Sequence, residues 1–310
     1  MNTLMTELDN YLSFRRGLGF KLKSHASALR DFVRFLGDQK AEYISSQLAV
    51  DWAQQAQAAQ PAHRVRRLGM ARDFALYLSA RDSRTEIPPN NLLSGSYQRS
   101  QPYIYTGEQI HKIINEASAL KRYGELRPHT YCTLFGLLAV TGMRISEIIA
   151  LDREDVDLDK GILTVRQGKF GKSRFIPIHS STLQKLQDYV RFRERFVKEP
   201  STKSFFISDR GVRLTNWIVR ATFIKLSRRI GLRGVTDSHG PRIHDLRHTF
   251  AVTTLIKWQR DGVDIQQRLP LLSTYLGHVK VSDTYWYLTA VPELMGAINE
   301  HLEKFLGDLA

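Results

Sequence analysis

Cysteine is almost missing from this chain: Cys132 is the single one among 310 residues. One thiol excludes an internal disulfide and a cysteine-built zinc cluster. It lies in the apolar run YCTLFGLLAV, where a buried structural role is expected. Long hydrophobic runs are missing too, since none approaches the ~20 residues a membrane span requires. The opening residues MNTLMTELDNYL carry acids where a signal peptide would be basic and then apolar. A cytoplasmic protein with no membrane partner is expected. There is no internal repeat and no low-complexity tract. Acidic residues are scarce relative to basic ones, 31 against 45, which leaves a net charge of +14 and a pI near 9.9. Such a surplus suits a polyanionic partner, because each phosphate neutralised releases condensed counterions. Charge alone also fits a basic protein that merely stays soluble.

What is present divides the chain into two helical parts. Leu4, Leu8 and Leu12 recur at helical spacing until Gly17 and Gly19 interrupt. Ser24 is placed to cap a second helix carrying Ala28, Leu29, Phe32, Phe35 and Leu36, with Gly37 as its stop. A third helix runs through Val50 and Trp52 until Pro61, and a fourth from about His63 to Leu78. Arg15, Arg16, Lys21, Lys23, Arg30, Arg64, Arg66 and Arg67 decorate this block, either as solvated helix faces or as a nucleic-acid surface. Residues 82–105 lose periodicity and read as a linker. Helix resumes at Thr106, where TGEQ has capping-box spacing. GILTVRQGKFGKSRFIPIH, residues 161–179, reads as a β-hairpin. Helices are expected over 214–230, from Asp245 to Trp258, and from Pro292 to Leu306. The last carries Leu294, Ile298, Leu302 and Leu306 in one stripe, which fits packing either on its own domain or on a neighbouring copy. The expected fold is mainly α with a small antiparallel β-sheet.

Three stretches hold residues capable of chemistry. In TGMRISEIIALDREDVD, Gly142 ends an apolar helix and Arg144 stands at the start of the next. A cation there opposes the helix dipole unless an anion such as phosphate, or a carboxylate such as Glu147 or Glu154, shares the site. In HGPRIHDLRHTFAV, His244 and Arg247 are three apart and share a helix face. A guanidinium beside an imidazole can neutralise a phosphate and handle a proton. His244 and His248 are four apart, a spacing that also suits metal ligands, but no further donors complete a set and Arg247 would repel a cation. In LGHVKVSDTYWYL, His278 precedes Tyr285 and Tyr287, which point to different sides of a helix.

Taken together, TG-x-R-x-SE, H-x-x-RH and LGH followed nine residues later by Tyr resemble the tyrosine recombinases, or phage-type integrases, from about Thr106 to Leu288. The helical first block looks like that family's SAM-like core-binding domain. The resemblance implies a DNA-binding domain over 1–81, a linker over 82–105 and a catalytic domain with a C-terminal helix over 106–310. It assigns catalysis to Arg144, Lys169, His244, Arg247, His278 and the nucleophile Tyr287. Lys169 is the first lysine of GKFGKSRFIP, which resembles the family's G-K-x-x-K-x-R turn. Lys172, Arg174 and Arg242 join Arg15, Arg16, Lys21, Lys23, Arg64, Arg66 and Arg67 as DNA-contacting residues, with a structural role also open for Lys172 and Arg174. One departure is the length between Arg247 and His278, where Asp261–Arg268 resembles an inserted loop.

The chemistry such residues serve is transesterification. A phenol with a pKa of about 10 is a weak nucleophile and the phosphodiester repels anions. Two arginines and His278 would hold the phosphate and its developing charge. His244 would accept the phenolic proton, or hold the phosphate while water does, and Lys169 would protonate the leaving 5′ oxygen. The product is a 3′-phosphotyrosine, formed with no cofactor and no metal. The resemblance further implies a homotetramer, with or without related recombinases, on two duplexes bearing inverted-repeat core sites. Strand exchange would run through a Holliday junction in the service of a mobile element. No additional arm-binding domain is expected. A type IB topoisomerase-like enzyme and a non-catalytic DNA-binding protein of the same fold are the alternatives.

Overall fold

The computed structural model describes residues 3–56, 60–95, 101–120, 125–166, 171 and 173–290. The chain forms two compact units, 1–100 and 101–310. The expected tail helix beyond Pro292, together with Lys169 and Lys172, lies outside the described residues.

The first unit contains α1 (Thr3–Gly17), α2 (Lys23–Asp38), α3 (Ser46–Gln54) and α4 (Pro61–Ser79). Leu8, Leu12, Leu29, Phe32, Leu36, Trp52 and Phe74 form its core. Burying side chains of this size contributes about 1.5–3 kcal/mol each, which offsets the ordering of four short helices. Ser24 is not the cap of α2. The helix is entered two residues earlier, through Leu22 in a left-handed conformation, without a side-chain cap. Gly37 is likewise inside the last turn. Ser45 caps α3 by accepting from Leu48 N, and Pro61 opens α4 with its φ already helical.

Residues 82–105 are shared out between the two units. Glu86 N donates to Ile44 O and its carboxylate accepts from Ser46 N, while Leu93 packs on the first core. Tyr105 is buried in the second unit, where its backbone N donates to Thr249 Oγ1 and its hydroxyl to Arg242 O.

The second unit contains α5 (Gly107–Ser118), α6 (Leu126–Thr141), α7 (Ile145–Ala150), strands β1 (Val156–Asp157), β2 (Ile162–Val165) and β3 (Arg174–Pro177), then α8 (Ser180–Phe196), α9 (Asn216–Arg229), α10 (Asp245–Arg260), α11 (Ile265–Leu276) and α12 (Ser282–Ala290). The capping box at Thr106 and Gln109 is formed on both sides. The hairpin is present, and β1 adds a third antiparallel strand in the order β1-β2-β3. Register pairs Leu163 with Ile176 and Val165 with Arg174. Leu163, Val165 and Ile176 are buried, so by the period of two Arg174 sits on the inward face with them. The expected insertion is less irregular than its length suggests. Residues 261–264 make a turn, Asp264 accepts from Gln266 N and Gln267 N, and residues 265–268 are already the first turn of α11.

Two helices that end on left-handed glycines bring the key segments together. α6 stops at Gly142 (φ 59°) and α11 at Gly277 (φ 69°). A Cβ on Gly142 would lie 2.6 Å from Phe250 Cδ1. Gly142→Ala is therefore expected to lose about 2 kcal/mol or more, combining the left-handed penalty with displacement of Phe250. Chemical denaturation of the variant against wild type measures this.

Candidate active site

The carbonyls left unpaired at the C-termini of α6 and α11 carry partial negative charge. Arg247, in the first turn of α10, donates from Nη1 to Gly142 O at 2.8 Å and from Nη2 to Leu276 O at 2.7 Å. Arg144 reaches the same place from α7, with Nη2 on Gly277 O at 3.1 Å. The two arginines are thus fixed by backbone groups at two helix ends, which gives them defined positions without neutralising their charge.

One carboxylate lies beneath them. Glu147, only 5% exposed, accepts from Arg144 Nη1 at 2.7 Å and from Arg144 N at 3.0 Å. It also accepts both Nη groups of Arg174, at 3.1 and 2.8 Å. Burial alone would raise its carboxyl, but the hydrogen bonds and charge of Arg174, and then of Arg144, hold it down at about 2. Arg174 Nε donates to Tyr275 O at 2.7 Å. Arg174 is therefore a brace between β3, α7 and α11, which fits the structural role that was open for it. A Cβ on Gly277 would lie 2.8 Å from its Nη1, so the glycine leaves room for this brace.

Three guanidinium groups thus stand near one carboxylate, which is bonded to Arg144 and Arg174 and acts on Arg247 only through its charge. Burial first, and the charge of Arg144 next, bring Arg247 down to about 10. His244 keeps a solvent-exposed side. Crowding by protein atoms and then the Arg247 charge nevertheless push its imidazole down to about 4 from 6.5. Such a site favours an added anion. Nuclear magnetic resonance of labelled histidine in the DNA-free protein should place His244 near 4, and a bound phosphodiester should raise it. In the DNA-free protein this group lowers stability as pH falls from about 6.5 through 4, because the unfolded chain takes up a proton that the folded chain resists.

α12 brings Tyr287 to this cluster. Tyr287 is 1% exposed and Tyr285 is 48% exposed, so of the two tyrosines only Tyr287 faces inward. Its ring stacks near His278, with centroids 6.3 Å apart, and its charge state influences Arg247. His278 is itself oriented by a 2.7 Å hydrogen bond between Nδ1 and Thr284 Oγ1. The Tyr287 hydroxyl is hydrogen-bonded to His248 Nδ1 at 3.0 Å. Among the described residues the imidazole of His244, expected to meet the phenol, makes no hydrogen bond and packs edge-on to His248 instead.

The structure therefore gathers Arg144, Arg247, His278 and Tyr287 at one place, with His244 beside them. It adds Glu147, His248 and Thr284, whose positions carried local signals: three after Arg144, four after His244, and three before Tyr287. Among the described residues no three His, Cys, Asp or Glu side chains are grouped to hold a metal ion. No helix among them is long and apolar enough to cross a membrane.

Residues 104–293 match the phage integrase family. The chain belongs to that family. It is 46% identical over 308 residues to a protein of Sinorhizobium fredii named as an integrase/recombinase, y4rB, with 98% of each chain covered. It is 28% identical over 296 residues to the tyrosine recombinase XerC of Thermodesulfovibrio yellowstonii, covering 91% of this chain and 90% of that one. The fold matches that of the Tn1549 transposon integrase in complex with transposon right end DNA. That match has a TM-score of 0.70 at 15% identity and covers 97% and 99% of the two chains. This phage integrase family member is a tyrosine recombinase with site-specific DNA recombinase activity.

The cations of the first unit divide in two. Arg67 stacks over Trp52 at 3.9 Å and donates to Asp31 Oδ2 and Trp52 O, so it closes the core edge. Arg15 lies over Phe20 at 4.5 Å. Arg64 is half-buried, whereas Arg16, Lys21, Lys23 and Arg66 are exposed. In the second unit Arg242 pairs with Asp245 at 2.9 Å while its side chain stays 52% exposed.

Proposed function

We propose that this recombinase cleaves and rejoins DNA through a 3′-phosphotyrosine on Tyr287. The observation that carries the reading is the juxtaposition of Tyr287 with a partly buried cluster holding three guanidinium groups and one carboxylate. That excess of charge suits a phosphodiester, and the phenol beside it is the group that could attack one. Arg144 and Arg247 bind the non-bridging oxygens and stabilise the charge of the transition state. His278 donates a further hydrogen bond. As the phenolic oxygen bonds to phosphorus, its proton leaves to a nearby acceptor. The 5′ oxygen departs with a proton, a role we assign to Lys169. The phosphoester is retained in the covalent link, so rejoining needs no external energy source.

In the same reading, residues 1–81 hold the duplex through exposed cations such as Arg16, Lys21, Lys23 and Arg66. Four copies act on two duplexes with inverted-repeat core sites and exchange strands through a Holliday junction, as a mobile element requires. A suicide duplex, nicked so that the 5′ fragment diffuses away, tests the chemistry. Wild-type protein should become covalently attached, and peptide mass mapping should place the nucleotide on Tyr287. Absence of any adduct across duplexes carrying the element's ends would refute the reading.

A further inference from the structure

His248, hydrogen-bonded to the Tyr287 hydroxyl, is a residue that the cleavage scheme above leaves unused. We infer that His248 is a positioning residue for the nucleophile, acting through Nδ1; the inference rests on Tyr287 being that nucleophile.

The geometry supports this in three steps. His248 follows Arg247 directly on α10, so the backbone that places the phosphate-binding guanidinium also places the imidazole. Its ring has little freedom. It is 5% exposed, packs edge-on against His244 at 4.8 Å between centroids, and meets Trp286 of α12 at 5.6 Å. A side chain so confined can hold another in a defined orientation. Finally, the contact is to the reacting atom itself: Nδ1 lies 3.0 Å from Tyr287 Oη. With the Nε2–H tautomer, Nδ1 accepts the phenolic proton's hydrogen bond. The O–H then points toward His248, and the oxygen lone pairs are left directed elsewhere, available to a phosphorus atom. Without this acceptor the hydrogen is no longer held on the His248 side, where it is clear of the direction from which attack must come. The same bond ties α12 to α10, so it sets the tilt of the phenol ring as well as the direction of its proton.

The atom involved makes the idea testable by isosteres. Asparagine places an amide oxygen close to where Nδ1 lies, whereas glutamine reaches the position of Nε2. On the nicked suicide duplex, His248→Asn is expected to form the Tyr287 adduct within about threefold of the wild-type rate. His248→Gln and His248→Leu are expected to slow it by about a hundredfold, the scale on which small misplacements act. DNA affinity, measured separately, should be unchanged in all three, which also reports that each variant is folded. Since Asn and Gln are alike in polarity, their difference decides the matter even if the leucine variant folds poorly. Equal rates for Asn and Gln, or wild-type cleavage by the leucine variant, would overturn the inference. An asparagine variant as slow as the leucine one would also overturn it, and would make the imidazole the proton acceptor. Adduct formation by Tyr287→Phe would instead show that the nucleophile assignment had failed, and this inference with it.

Discussion

Tyr287→Phe will bind its DNA with wild-type affinity and form no covalent adduct. The phenyl ring fills the same buried volume between His278 and His248, so the packing of α12 on α10 and α11 is preserved. The fold loses the hydrogen bond between the hydroxyl and His248 Nδ1, at a cost of about 1 kcal/mol. The chemistry loses its nucleophilic oxygen, and adduct should fall by at least ~10³-fold on a nicked duplex. Gel-shift binding and denaturing electrophoresis of the same samples separate these two effects. Adduct persisting in the variant would direct attention to Tyr285, which is exposed and two residues away.

Glu147→Ala should be the most damaging change to the frame that holds the site. The carboxylate receives hydrogen bonds from both Arg144 and Arg174. Its removal leaves those two guanidinium groups beside Arg247 with no counter-charge in between. Breaking a buried pair by deleting one partner costs about 3–5 kcal/mol. A similar figure comes from the carboxyl itself, held at about 2 against an ordinary 4.5, a difference worth about 3 kcal/mol. Because the folded value is the lower one, this stabilisation is complete above about pH 4.5 and disappears as pH falls through about 2. Denaturation of wild type and Glu147→Gln should therefore differ strongly at pH 7 and converge toward pH 2. Cleavage should fall as well, since Arg144 loses the group that orients it. A Glu147→Gln protein as stable as wild type at pH 7 would refute this account of the cluster.

Much of the fold was legible before any coordinates. Apolar spacing marked α1 to α4, the glycine-interrupted apolar pair marked β2 and β3, and the capping box at Thr106 was formed as written. Local signals were incomplete where tertiary contacts enter. Ser24 had the chemistry of a cap, yet α2 begins at Lys23 because Leu22 takes a left-handed turn and joins the hydrophobic core. Residues 82–105 have the composition of a linker, yet Glu86, Leu93 and Tyr105 carry specific contacts. Arg67 and Arg174 read as cations for an external anion, but each has an internal partner, Asp31 for one and Glu147 for the other.

The basic charge, the order and spacing of the motifs, and the periodicity of the helices were properties of the sequence by itself, because each depends on residue type and short-range spacing. That was enough to single out Tyr287 as the candidate nucleophile, but by its distance from His278 rather than by its surroundings. The tertiary structure alone decided that Tyr287 is the tyrosine facing inward. It alone showed that His248, not His244, meets the phenol, and that Glu147 joins Arg144 to Arg174. The physical reason is reach. Arg144 bonds a carbonyl 133 residues away, Arg174 one 101 residues away, and His248 a hydroxyl 39 residues away. No local period encodes such pairs. They follow from two helices that end on glycine at the same point in space, with their C-terminal carbonyls turned toward the arginines.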